Sequence, residues 1–208
     1  MTRSGRSQSP VERLEVFPIV VPAAFALFAL IGVASRAGLT RRTDIQVRRK
    51  VHPKKNRQVT RVASAVSRVG APHMRPLLAG GLAIGCRLLG TGRPGRIVAA
   101  TLCATAVNKT SRLFLHQKRP PGAGVHHGLD VFAYPSGHCC AVAAIMTAAV
   151  REMSKGQSDR THNALVAGGA ALALATAWSR LYLDEHWIDD VIGGLSAGLG
   201  VGLMVTDA

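Results

Sequence analysis

Runs of apolar residues, each close to the thickness of a bilayer, alternate with short basic stretches along this chain. No other feature constrains the fold as strongly. A helix crosses the hydrocarbon core with about 20 mostly apolar residues, and that ruler cuts the chain into six expected spans. They run Val16 to Ala34, Ala71 to Leu89, Ile97 to Leu115, Gly137 to Val150, Ala164 to Leu183, and Trp187 to Thr206. The first lies behind Glu12 and Glu15 without a convincing cleavage site, so it reads as a retained helix and not a signal peptide. The second is weaker, with His73 and Arg75 near one end and Arg87 near the other. Both arginines are expected to snorkel to the interfaces. The third turns polar in its second half, at Asn108, Lys109 and Arg112.

Charge enters here. Lys and Arg number 26 against 11 Asp and Glu, a net +15, yet only 18% of residues are charged and 48% are hydrophobic. So basic a chain suggests nucleic acid, but the bases sit in a few patches between runs too apolar to face water. The expectation is an all-α, polytopic membrane bundle. It divides into an N-terminal tail (1–15), a first span with a basic segment (16–70), and a core of five spans (71–208). Within the basic segment, Val59, Val62, Val66 and Val69 share one helical face, which predicts an amphipathic helix lying at anionic headgroups. On the last span Gly194, Gly198 and Gly202 recur at spacing four and predict close helix packing. Cys86, Cys103, Cys139 and Cys140 form no CxxC pair and read as small buried residues.

Ionisable residues at the margins of membrane helices are costly and therefore candidates for function. Span counting places the exits of the third and fifth spans, and the entrances of the fourth and sixth, on one membrane face. Arg112, Arg119, Ser136, Gly137, His138, Arg180, His186 and Asp190 converge there. Three arginines without matched carboxylates imply a polyanionic guest, whose phosphate oxygens suit guanidinium forks. Ser136 and Gly137 open a helix, where backbone N–H groups favour an anion. Two histidines can divide nucleophile and proton donor between them. Asp190 follows His186 by four residues, on the same helical face, placed to orient its ring. With no carboxylate cluster to hold a hard metal, no metal or cofactor is expected.

Three segments carry a resemblance. Arg112-Leu-Phe-Leu-His-Gln-Lys-Arg119-Pro120, Pro135-Ser136-Gly137-His138 and Ser179-Arg180-Leu-Tyr-Leu-Asp-Glu-His186-Trp-Ile-Asp-Asp190 resemble the ordered motifs K-x6-RP, PSGH and SR-x5-H-x3-D of the type 2 phosphatidic acid phosphatase (PAP2) superfamily. The resemblance implies a metal-independent membrane phosphatase acting on lipid phosphates or polyprenyl (di)phosphates through a phosphohistidine. It implies His186 as nucleophile, Asp190 orienting it and His138 as acid. Arg119, Arg180, Ser136 and Gly137 would hold the phosphoryl oxygens. The family's first lysine is Arg112 here; Lys109, one turn earlier, is the alternative register.

Alternatives stay open at this point: a lipid phosphotransferase, a vanadium haloperoxidase (disfavoured by the spans), and a non-catalytic lipid-phosphate binder or transporter. His126, His127 and Asp130, ahead of the second motif, are candidates to touch a headgroup. The expected partners are a lipid phosphate substrate and anionic membrane lipids, with no nucleic acid; a homo-oligomer stays open. The expected location is the bacterial inner membrane. Twelve bases between Arg36 and Arg75 place the site on the cytoplasmic side by the positive-inside rule, whereas many relatives of the resembled family act on the outer face.

Overall fold

The computed structural model describes residues 10–51 and 56–207. Among these residues there are eight α-helices and no strand. They are α1 (Pro10–Arg36), α2 (Arg41–Val51), α3 (Arg57–Val69), α4 (Arg75–Leu88), α5 (Gly95–Arg112), α6 (Gly137–Met153), α7 (Asp159–Tyr182) and α8 (Ile188–Asp207). Residues 1–9 of the expected tail lie outside the described residues, and α1 begins at Pro10, ahead of the expected span. Three stretches are long and apolar enough to cross a membrane: Pro18–Arg36, Asp159–Tyr182 and Ile188–Asp207. The other expected spans coincide with α4, α5 and α6. Of these, α4 has 14 residues and α6 has 17, both under the bilayer ruler, while α5 carries Asn108, Lys109 and Arg112 in its second half.

The centre of the bundle is α6, covered by α5, α7 and α8, and α1 packs on the other side of α8. Along α6 the residues Cys139, Cys140, Ala141, Val142, Ala144, Ile145 and Ala148 are all buried. The small side chains let α8 come close, and the glycine stripe of α8 is where it does. A Cβ on Gly198 would stand 2.3 Å from the Cys140 carbonyl oxygen, one on Gly194 2.6 Å from that of Ser136, and one on Gly202 2.6 Å from Thr147 Cβ. With no room for a methyl group, the backbones themselves make the dispersion contacts that hold membrane helices together. This contact sets the site, because it runs from the first turn of α6 down the length of α8.

The basic segment forms two helices, α2 and α3, with residues 52–55 outside the described residues. Asn56 caps α3, its Oδ1 accepting from the Gln58 amide at 2.8 Å and the Val59 amide at 3.4 Å, which satisfies first-turn donors. The face of α3 that packs on α7 is built from small residues. Ala63 and Ser67 are buried, whereas Val62 is 57% exposed. Small residues allow α3 to lie close on α7, and part of the valine side is left pointing away from the protein. Arg48 of α2 makes a two-pronged ion pair with Asp184 at 2.6 and 2.7 Å, fastening α2 to the loop between α7 and α8.

Candidate active site

The eight residues are contributed by the ends of four helices and the loops beside them. Arg112 ends α5, Arg119 follows in the loop, Ser136 caps α6 with Gly137 and His138 in its first turn, Arg180 ends α7, and His186 precedes Asp190 at the start of α8. Ser136 donates its backbone N–H to the Asp190 carbonyl at 2.9 Å, joining the second motif to the third. That amide is therefore committed to the fold, and the first-turn amides after it are the ones available to an anion.

His186 is 3% exposed and Asp190 fully buried. The ring Nδ1 lies 3.3 Å from Asp190 Oδ2, and the same oxygen accepts from the Trp187 amide at 2.8 Å. Nδ1 is thereby the protonated nitrogen, and Nε2 carries the lone pair. Nε2 stands 3.3 Å from Arg119 Nη1. Burial first, and then the positive charges of Arg119 and Arg180, hold the His186 imidazole well below its usual range. It is neutral at physiological pH, the form a nucleophile needs. His138 packs against Gly70, where a Cβ would lie 3.1 Å from His138 Cβ and 3.2 Å from its ring.

The arginines are not as bare of carboxylates as their sequence surroundings suggest. Arg112 pairs with Asp130 of the loop. Glu185 Oε2 lies 3.4 Å from Arg180 and 3.7 Å from Arg119, and 2.9 Å from His126 Nε2. The chain reversal after α7 folds Glu185 back over the guanidinium groups, which linear spacing conceals. Even so, Ser136 Oγ, Arg112 Nε and Arg180 Nε are buried with no hydrogen-bond partner. Buried donors without partners cost stability, and all three belong to the candidate cradle. Arg180 also donates to Ser67 Oγ at 2.5 Å, so α3 supports the cradle from outside. Arg119, lowered by burial and neighbouring arginines to about 10, stays cationic. Lys109 is exposed, and Arg112 takes the inward position. Of the candidate headgroup residues, Asp130 holds Arg112 and His126 holds Glu185, while His127 is exposed.

Two residues of the cluster escape sequence reasoning. Arg75, expected to snorkel, is only 9% exposed. It donates from Nε to the Gly70 carbonyl at 3.0 Å, and its Nη2 would be 3.3 Å from a Cβ on Gly137. Asn108 donates to the Pro135 carbonyl at 2.9 Å, and its Oδ1 would be 3.0 Å from the same Cβ. Arg87, by contrast, is exposed. Span counting does carry a signal for Arg75, because it falls on the same membrane face as the motifs. Asn108 lies one helical turn before Arg112.

Known proteins share features of sequence and fold with this chain. The family model described as "PAP2 superfamily" matches residues 91–208. The chain is 30% identical over 97 residues to phosphatidylglycerophosphatase B of Bacillus subtilis (strain 168), a match covering 45% of this chain and 46% of the relative. That relative is thus matched over about half its length. Among solved structures, the fold resembles the transmembrane PAP2-type phosphatidylglycerolphosphate phosphatase from Bacillus subtilis, with TM-score 0.81 and 20% identity over 90% of this chain and 94% of that one. It also resembles Aquifex aeolicus LpxE, with TM-score 0.60 and 16% identity over 79% and 94% of the two chains.

Proposed function

We propose, given that the chain belongs to the PAP2 superfamily, that it is an integral-membrane phosphatase hydrolysing a lipid phosphate by way of a phosphohistidine. The observation that carries this reading is the state of His186. Its Nδ1 is held by Asp190, and its Nε2 lone pair faces the arginines beside unpartnered donors. A substrate phosphoryl group would lie in the cradle of Arg112, Arg119, Arg180, Ser136 Oγ and the first-turn amides of Gly137 and His138.

His186 Nε2 gives its electron pair to phosphorus while the bond from phosphorus to the lipid oxygen breaks. His138 passes a proton to that departing oxygen. Asp190 stabilises the positive ring that forms, as the carboxylate does in a catalytic triad. Water then attacks the phosphohistidine, giving a proton to His138, and the P–N bond breaks to release inorganic phosphate and a neutral His186. The arginines offset the charge on the equatorial oxygens throughout, which is the larger part of phosphoryl-transfer catalysis.

The substrate class is a phosphate at headgroup depth on an apolar tail: phosphatidylglycerol phosphate, phosphatidic acid or a polyprenyl (di)phosphate. The name of the Bacillus relative favours the first. In the bilayer the chain would make six crossings, α1 and α4 to α8, with α2 and α3 at the interface. Phosphate release by purified protein tests the reading. Turnover should survive EDTA, be inhibited by vanadate, and fall to background in His186→Ala, with an acid-labile phosphoenzyme trapped from the wild type. Loss of turnover on chelation, restored by Mg²⁺, would refute the metal-free mechanism. Phosphate appearing as the ester of an added alcohol instead of as free phosphate would favour a phosphotransferase.

A further inference from the structure

Next to the catalytic cluster, a cavity of about 590 Å³ opens between the end of α1, the start of α2 and the loop after α5. Its size falls within the roughly 300–1,000 Å³ of small-molecule sites. Ser35, Arg36, Arg41, Asp44, Lys118 and Arg119 are among its lining residues, so four cations meet one carboxylate. Of these residues only Arg119 is a fixed position of the three motifs, while Lys118 falls in the variable stretch of the first.

Two features of its wall favour an anion. The first is Ser35, only 8% exposed, whose Oγ has no hydrogen-bond partner. A hydroxyl buried at the wall of a basic cavity, without a protein acceptor or donor, is costly unless a ligand oxygen meets it. The second is Arg41, whose guanidinium lies 4.4 Å above the centre of the Trp187 ring. That ring is itself fixed, because Nε1 donates to the Lys118 carbonyl at 2.8 Å. Stacking restrains the guanidinium plane and leaves its edge donors for planar recognition of oxyanions. Arg36 is anchored too, donating to the Phe114 carbonyl at 2.5 Å.

Arg119 is common to the two sites. It lines this cavity and reaches within 3.3 Å of His186 Nε2. We infer that the cavity binds a second phosphate group, distinct from the one attacked by His186 and held by Ser35, Arg36, Arg41 and Lys118. One side chain separates the two positions, so a lipid bearing two phosphates could span them. The same chemistry is offered by the headgroup of a separate anionic phospholipid or by free phosphate. This inference rests on the function proposed above only for the identity of the neighbouring site.

Two measurements on the full chain test it. Steady-state kinetics of Arg41→Gln and Ser35→Ala would compare a lipid carrying a phosphomonoester plus a second phosphate with one carrying a single phosphomonoester. If the second phosphate belongs to the substrate, KM for the two-phosphate lipid should rise about tenfold or more in Arg41→Gln, the worth of a charge-assisted hydrogen bond. KM for the one-phosphate lipid and kcat for both should hold within about twofold.

The other measurement is Trp187 fluorescence of His186→Ala protein carrying Trp178→Phe, in phosphatidylcholine nanodiscs. If the phosphate comes from elsewhere, adding phosphatidylglycerol or inorganic phosphate should change the emission, whichever is the source, and Ser35→Ala should weaken the response. Unchanged KM ratios together with an unresponsive Trp187 would overturn the inference. So would equal losses on both lipids with a fallen kcat, which would assign Arg41 to holding α2 alone. Should wild-type protein release no phosphate from any lipid, the catalytic reading fails while the fluorescence measurement still decides the cavity.

Discussion

Arg75 shows how much a single side chain depends on its surroundings for its meaning. At the end of a weak span an arginine costs little, since its long stem can carry the charge to the interface. Here the stem turns inward, Nε is tied to the Gly70 carbonyl at 3.0 Å, and the other end lies against Gly137. Holding a cation 9% exposed near Arg112 is unfavourable unless an anion joins them. Arg75 is therefore expected to help position the phosphoryl group by way of the Gly137–His138 turn. Arg75→Ala should lower kcat/KM by about 10–100-fold, the range for losing a charged hydrogen bond, and Arg75→Lys should recover part of it. Vanadate should bind more weakly to Arg75→Ala in parallel. If inhibition by vanadate were unchanged while activity fell with melting temperature, Arg75 would be structural. The residues that were legible from sequence were those in fixed ordered spacings, His138, Arg180, His186 and Asp190 among them. Arg75 was not, because its burial is created by α6, more than fifty residues further along the chain.

At the scale of helices, α2 is the element whose position depends most on charge. Asp44 on its inner face is 2% exposed; its Oδ1 accepts from the Asp189 amide at 3.4 Å, and Thr40 donates to Asp189 Oδ2 at 2.7 Å. Burial, and then the Asp189 carboxylate, push the Asp44 carboxyl up from 3.8 to about 6. Between those values the docked helix binds more protons than the undocked one, so docking weakens as pH rises through this window and carries its full penalty above about 6. Asp44→Asn keeps an oxygen for the Asp189 amide and removes the charge. Amide exchange across α2 should slow about tenfold or more at pH 8, the worth of one pKa unit, and scarcely change at pH 4. Faster exchange in Asp44→Asn at pH 8 would show the carboxylate to be favourable there. The helices differ in how far sequence revealed them. The glycine stripe of α8 announced its contact with α6, because only a missing side chain permits that distance. The valine stripe of α3 announced an amphipathic helix but not which of its residues pack on α7. Its partner α7 selects small residues, Ala63 and Ser67, while hydrocarbon accepts part of the valine side just as well.

For the whole molecule the open matter is which side of the membrane the site faces, and charge supplies the argument. The described part of the 36–75 segment is concentrated in α2 and α3, which lie on the site side and are fastened there by Arg48 to Asp184 and by Ser67 to Arg180. The opposite side has fewer bases, with Arg3, Arg6 and Arg13 before the first span and then Arg93, Arg96, Arg151, Lys155 and Arg160. Glu152 pairs with two of these, accepting from Arg96 at 3.3 Å and Lys155 at 2.6 Å, and it also accepts from the backbone amide of Arg93 at 2.6 Å. The positive-inside bias acts through Lys and Arg in short loops near the spans, with little weight given to acids. By that rule we propose that the site faces the cytoplasm, with both chain ends outside. A single cysteine decides it. Val125, between the first two motifs, is 87% exposed, whereas a Cβ on neighbouring Gly124 would stand 3.3 Å from Glu185 Oε1. Val125→Cys is thus the less disruptive probe, and Cys86, Cys139 and Cys140 are buried and Cys103 is partly covered, which keeps background low. A membrane-impermeant maleimide should label Val125→Cys only after lysis. Labelling of intact cells would reverse the orientation, placing the α2–α3 bases and the phosphate cradle on the outer face. That outcome would require the bias to be overridden by the pinning of α2 and α3 to the folded core.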